Sequence, residues 1–459
     1  MEKNLTTGSV LKTVLSFSLP YLLSYFLQTL YGMADLFIIG QFNGVESTTA
    51  VSIGSQVMHM LTVMIVGLAM GSTVMIGQAI GAEKKEQASQ AIGNTVTLFM
   101  VLSVALTVGL LFAVKPIVTV MSTPAEAAVK TVSYLTICFM GIPFITAYNI
   151  ISSIFRGMGD SKSPMYFIAI ACGVNIVLDY LFIGGMGLGP AGAALGTTLS
   201  QTISVMVFLF IIRRKKTGIT LGVNNFKPYR ETMTGLLKIG VPIALQDGFI
   251  QIAFIVITII VNKRGLNDAA AVGIVEKIIG ILFLVPSSML QTVSALCAQN
   301  IGAGKHERAR LTLGYGCLMT VIWGAAAVAV MQLDAEHFIG LFSDNREVVL
   351  MGGEYMRGYV WDSILAGIHF CFSGYFCAYG LSGISFVHNS ISILCARIPL
   401  SYLASKYFVD TLFPMGLAST VGSGVSAVIC VGVFIWMNRR FREIERRQTK
   451  GTAKKPIRA

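Results

Sequence analysis

Residues 77–88 read GQAIGAEKKEQA, and residues 298–309 read AQNIGAGKHERA, 221 positions further on (298 − 77). Gln, Ile, Gly, Ala, Lys, Glu and Ala recur in the same order in both. At the same offset Ala50-Val51-Ser52-Ile53 returns as Ala271-Val272-Gly273-Ile274. Pro20 is answered by Pro242, Asp179-Tyr180-Leu181 by Ser401-Tyr402-Leu403, and Pro190-Ala191-Gly192 by Pro414-Met415-Gly416, as the offset drifts to 222 and then 224. An offset near half of 459 residues means that the chain is two similar halves. In a membrane protein two such halves surround one pathway, with sites where they meet.

Composition places those halves in a bilayer. Charged residues make up only 12% and hydrophobic residues 54%, against about 25% charged in a soluble domain. Apolar runs of spanning length, roughly 20 residues each, lie near 15–39, 48–75, 91–114, 129–152, 163–184 and 190–212. A second set lies near 239–261, 269–297, 311–333, 354–380, 384–408 and 414–437. The pattern predicts an all-α membrane protein with about twelve transmembrane helices in two pseudo-symmetric six-helix bundles. The expected division is 1–212 for the first lobe, 213–238 for a basic linker, 239–437 for the second lobe and 438–459 for a basic tail.

Charge gives the expected orientation. Lys3, Lys12, Arg156, Lys162, the stretch from Arg213 to Lys238, the turns at 81–90 and 302–310, and the tail from Arg439 share one side. By the positive-inside rule that side is the cytoplasm, so a multi-pass protein of the cell membrane with both termini inside is expected. The net charge of +12 then reflects topology and contact with anionic lipid, not nucleic acid. The first run is too long for a cleaved signal peptide and contains Asp35. All eight cysteines fall in apolar runs without a CxxC pair, which indicates neither a metal site nor a disulfide framework.

Ionisable groups inside spans are costly and mark function by default. Asp35 lies in the first run. Asp179 lies in the fifth, with Asn175 one turn before it. At 1.5 Å per residue both acids fall roughly 8 Å inside the outer ends of their spans. Thr197 and Thr198, early in the returning sixth span, reach the same level. The repeat sharpens the reading: Val256 and Ser401 stand opposite Asp35 and Asp179, so the fold itself does not require the acids. In the second half Asp247, Glu276 and Asp362 are further candidates, with Asp362 read near the outer end of the tenth span. Arg397 is a lone cation able to pair with any of them. His369 and His388 read as packed or hydrogen-bonded residues.

No GxxxxGK[ST] loop is present, so this chain does not hydrolyse ATP, and no Ser/His/Asp or HExxH arrangement suggests an enzyme. An ion gradient is then the available energy source.

Pro20 through Gly40 with Asp35, the turn GQAIGAEKKEQA and its copy, Phe155-Arg156-Gly157-Met158-Gly159-Asp160 and NIVLDYLF at 175–182 together resemble the multidrug and toxic compound extrusion (MATE) family. The resemblance implies two six-helix lobes facing each other in a V. It implies export of cationic, amphiphilic compounds in exchange for H+ or Na+, with no cofactor. It assigns a cation or proton site, or a Na+ site, to Asp35, Asn175, Asp179 and Thr197, with Gln28, Tyr31, Tyr134 and Asn149 lining the same lobe. The expected partners are small organic cations and membrane lipid, and the expected working unit is one chain. A lipid-linked precursor flippase of the same superfamily is the alternative; it would line its cavity with cations, whereas acids dominate the first half here.

Overall fold

A computed structural model describes residues 5–214 and 222–449. Residues 215–221 of the expected linker, Lys3 and the tail from 450 lie outside them. The described residues are almost entirely helical. The first half consists of α1 (Val10–Phe42), α2 (Val45–Gly81), α3 (Lys85–Val120), α4 (Ala125–Met140), α5 (Ile142–Gly157), α6 (Lys162–Asp179) and α7 (Gly189–Arg214). The second half consists of α8 (Arg230–Asn262), α9 (Leu266–Leu282), α10 (Leu284–Gly302), α11 (His306–Gly340), α12 (Arg346–Tyr359), α13 (Asp362–Ala378), α14 (Ser382–Ser392), α15 (Ile398–Tyr407) and α16 (Phe413–Thr449).

Nine stretches are long and apolar enough to cross a membrane alone, and α4 with α5, bent by 50° at Gly141, makes a tenth. The remaining chain forms two more broken rods, α12–α13 and α14–α15, so each half has six. The seventh rod begins at Arg230 rather than near 239, because its first two turns are polar enough to read as linker.

The irregularities repeat with the sequence. Pro20 and Pro242 interrupt the first rod of each half. A proline inside a helix removes one backbone hydrogen bond and bends the axis. The fourth rod breaks in both halves, at Gly141 and at Val360–Trp361. In both halves the fifth rod contains a π-helical segment, Tyr180–Gly185 in one and Ile393–Arg397 in the other.

Each half has an apolar core of its own. One gathers Ile38, Val51, Val114, Tyr134 and Phe139, the other Ile257, Val272, Met331, Tyr355 and Met415. A third core is shared: Val14, Phe17, Tyr21, Met70 and Val74 pack with Ile243, Met289, Val293, Tyr375 and Phe376. Every residue in that shared core lies towards the end of the molecule where the amino terminus sits. The halves therefore join at one end and keep separate interiors at the other, which is the expected V.

Candidate functional site

α1, α6 and α7 bring Asp35, Asn175, Asp179 and Thr197 together. The outer end of α1 is pinned to the π segment that follows Asp179. Phe42 meets Tyr180 edge to face at 6.0 Å, and the Tyr180 hydroxyl donates to Gln41 Oε1 at 3.4 Å. On the other side Gly196 gives Asp179 its room. A Cβ at that position would collide with Asp179 Oδ1 and lie 3.5 Å from Asn175 Nδ2, so any larger residue would push α7 off α6.

Asp35 has Asp179, Thr197 and Asn175 as hydrogen-bonding neighbours. Of these, the Thr197 hydroxyl shows well-formed geometry, donating to Asp35 Oδ2 at 3.3 Å. Asp35 Oδ1, both carboxylate oxygens of Asp179 and both amide atoms of Asn175 are buried without such a partner. Nearby, the Tyr31 hydroxyl faces Thr197 and Gln201 without well-formed hydrogen-bond geometry to either. An unmet buried polar group costs about 1–3 kcal/mol, and an unpaired buried charge more. Two adjacent carboxylates with three idle oxygens are therefore a receptor for positive charge. The donors are all oxygen, the kind a proton or a hard cation takes.

The acids converge under cover: Asp35 is 3% exposed, Asp179 and Asn175 0%, and Thr197 8%. Apolar neighbours from α1, α4 and α6 close the space, among them Cys138 and Tyr134 on α4. Tyr134 bonds Ser55 Oγ at 3.2 Å and presses its ring on Gly54. Asn149 spends its amide on its own helix, donating to the Ile145 carbonyl at 2.8 Å. Gln28 is half-buried on α1. Among the described residues, no hydrogen bond joins either one to the acids.

The second-half candidates do not assemble into a matching acid pair. Asp247 is half-buried on α8 and faces Gly67 on α2, at the junction of the halves. Asp362 is not near a rod's outer end: it opens α13, in the middle of the broken rod that begins at Arg346. In the turns before it, Arg357 grips Glu336 through two bonds of 2.6 and 2.7 Å, and Glu354 accepts from Thr411. Arg397 Nη2 donates to Asp362 Oδ2 at 2.8 Å, both side chains being buried. Glu276 lies within electrostatic reach of that pair, with Oε1 unpartnered. His388 bonds Ser373 at 3.0 Å and Ser426 at 3.1 Å.

The repeated turn has a role that sequence reading alone did not reveal. Gln78 Nε2 donates across the junction to the Ala378 carbonyl at 2.7 Å, and Gln299 Nε2 donates back to the Gly157 carbonyl at 3.0 Å. Both donors and both acceptors are 221 residues apart, so the two bonds form one symmetric pair. Gly81 rests on the backbone of Gln299 and Gly302 on that of Gln78, approaches that any Cβ would block. The amino-terminal segment straps the same end. Lys305 Nζ donates to the Thr6 carbonyl at 2.8 Å, and Arg308 donates to the Gly8 and Thr7 carbonyls at 2.6 and 2.8 Å. These hydrogen bonds between the halves gather at one end. The retention of Gln in both copies was the available signal.

The family model MatE matches residues 20–181 and, again, 242–403, an offset of 222 (242 − 20). A relative in Bacillus subtilis (strain 168), "Probable multidrug resistance protein YoeA", is 26% identical over 95% of this chain and 96% of its own. "Multidrug export protein MepA" of Staphylococcus haemolyticus is 24% identical over 90% of this chain and 92% of its own. Among solved structures, "Outward-facing conformation of a multidrug resistance MATE family transporter of the MOP superfamily" superposes with a TM-score of 0.88 over 96% of this chain and 97% of that one, at 24% identity. With both halves matched by one family model, this multi-pass membrane protein belongs to the MatE family, the multidrug and toxic compound extrusion transporters.

Proposed function

We propose that the protein exports cationic, amphiphilic organic compounds in exchange for H+ or Na+, with the exchanged ion held by Asp35, Asn175, Asp179 and Thr197. One observation weighs most: the buried pair of acids with three idle oxygens, in a half whose repeat lacks both acids. The names of the relatives, multidrug resistance and multidrug export, support the cargo class.

Exchange requires that occupancy by one positive charge weakens the other, reciprocally. A single negative cluster reached by both ligands supplies that antagonism. Alternation of access requires a junction that parts, and the symmetric Gln78–Gln299 lock is the closed gate of an outward-facing state. By the charge of the flanking turns the locked end faces the cytoplasm. The magnitudes favour having two acids. One pH unit is worth about 1.4 kcal/mol per proton, and about 100 mV is worth roughly 2.3 kcal/mol per charge. One proton against one monovalent cation is electroneutral and sustains about a tenfold gradient per pH unit. Two protons per cation gain about 5 kcal/mol, or several thousandfold.

The test is efflux of a cationic dye from liposomes holding the purified protein, with a pH gradient or a Na+ gradient imposed separately. Export should follow at least one gradient and vanish in Asp35→Asn protein that elutes normally on gel filtration. Gradient-driven export by that variant would reject the role given to Asp35.

A further inference from the structure

The two family matches set out which positions correspond, and one correspondence puts a cation where the first half has a neutral side chain. Adding 222 takes Asp179 to Ser401 and Asn175 to Arg397. Where the first half sets a neutral amide beside its two acids, the second half sets a guanidinium. Both rods carry a π segment, although the two are not at matching positions. Asp179 directly precedes the π segment of its rod and Arg397 ends the π segment of the corresponding rod. Such segments occur mostly as single turns at functional sites. A glycine of the sixth rod stands against each: Gly196 against Asp179, and Gly422, whose Cβ would lie 3.2 Å from Arg397 Cβ.

Arg397 is 8% exposed and Asp362 is 0% exposed. The guanidinium lies 5.8 Å from the centre of the Phe254 ring and borders a cavity of about 50 Å³ with Phe283, His369, Asn389 and Ser423. Other titratable groups that feel it are Glu276 on α9, Tyr355 and Tyr359 on α12, and His369 on α13. Asp362 Oδ1, Glu276 Oε1 and Arg397 Nε have no hydrogen-bond partner, and all three are buried. Two acids surround one built-in cation.

We propose that the second half contains a latent site for a monovalent cation, ligated by Asp362 and Glu276, which Arg397 occupies as a tethered counter-charge. The wild-type protein then binds its exchangeable ion in the first half alone, and the second half contributes a fixed charge to the transport cycle. This deepens the proposed exchange reading and rests on it for the identity of the first-half site. The physical ground is that a lone buried acid must be compensated, and a covalently attached guanidinium compensates it without competing for ion from solution.

The test is melting temperature in detergent as a function of Na+ at fixed ionic strength, and of pH, since a ligand that binds only the folded state raises it. Wild type should show a saturable cation-dependent rise that Asp35→Asn/Asp179→Asn abolishes. Adding Arg397→Gln to that double variant should restore a cation-dependent rise, and further adding Asp362→Asn should remove it. The reciprocal variant, Asn175→Arg, should melt without cation dependence, because it tethers a charge between the first-half acids. It keeps the question decidable if Arg397→Gln fails to fold. A cation response in Asp35→Asn/Asp179→Asn that Asp362→Asn removes would overturn the proposal, as would a folded Arg397→Gln background with no response, or a wild-type response in Asn175→Arg. Absence of any response in wild type would instead count against the first-half site, while the Arg397→Gln arm is still read on its own.

Discussion

The polar centres of the two halves share one corresponding position, Asn175 and Arg397, and solve opposite problems. In the first, Asp35 and Asp179 are buried together, and among the described residues no basic side chain bonds either of them. In the second, Asp362 is buried against Arg397 at 2.8 Å, and the charge is settled internally. The junction shows no such divergence: Gln78 and Gln299 still make matching bonds, to the Ala378 and Gly157 carbonyls. Duplication has thus preserved what must be symmetric for two lobes to close and released what need not be.

The strongest way to break this comparison is to mutate corresponding positions. Asp179→Asn should reduce gradient-driven efflux to the level of empty liposomes. Ser401→Ala, at the matching place in the other half and equally buried, should stay within about twofold of wild type, as substitutions away from special features usually do. Comparable losses in both, measured at equal amounts of folded protein, would show that the centres are functionally alike.

Stability gives a contrast of sign. Neutralising one of two adjacent buried carboxylates relieves like-charge repulsion, so Asp35→Asn should raise the melting temperature in cation-free buffer near neutral pH. Asp362→Asn should lower it, since removing one member of a buried ion pair strands the other at a cost of about 3–5 kcal/mol. Replacing both, as Asp362→Leu/Arg397→Met, should recover most of that loss, because a buried pair contributes little net stability over apolar packing. Thermal melting of the three variants beside wild type settles it. A fall in Asp35→Asn as large as that in Asp362→Asn would mean that the first-half acids are structural.

Much of this was legible in the sequence, and the reasons for the gaps are physical. Twelve rods and their pairing followed from apolar length and the 221-residue echo, because the bilayer allows backbone polar groups few arrangements. The meeting of Asp35 with Asp179 followed from helical rise alone, since both spans run in the same direction. Their enclosure did not, because it depends on Tyr134 and Cys138 of a fourth rod whose rotation is set by packing at Gly54. Asp362 was misplaced because its rod begins at Arg346, eight residues before the apolar run near 354 that marks it in the sequence. Glu354 and Arg357, at the start of that run, are satisfied by residues distant in sequence, Thr411 and Glu336. The partner of Arg397 was undecidable for the same reason: three acids were available, and only the break between α12 and α13 puts one of them within reach.

The smallest effects should come from the gate, and there the expectation is equality. A side-chain hydrogen bond is worth about 1 kcal/mol net, so Gln78→Met and Gln299→Met should each weaken the locked end by that amount. Each would move a two-state equilibrium between outward- and inward-open forms about fivefold, with no change in either form's structure. Spin labels at Val45 and Leu266, exposed residues at the ends of the halves away from the lock, would report the shift as a growing population at shorter distance. The two variants should give the same shift and together roughly its square, because the bonds lie in different places and share no partner. If one Gln matters far more than the other, the gate has diverged as the centres have. The repeated GQAIGA and AQNIGA turns would then be a record of ancestry, not a working symmetry.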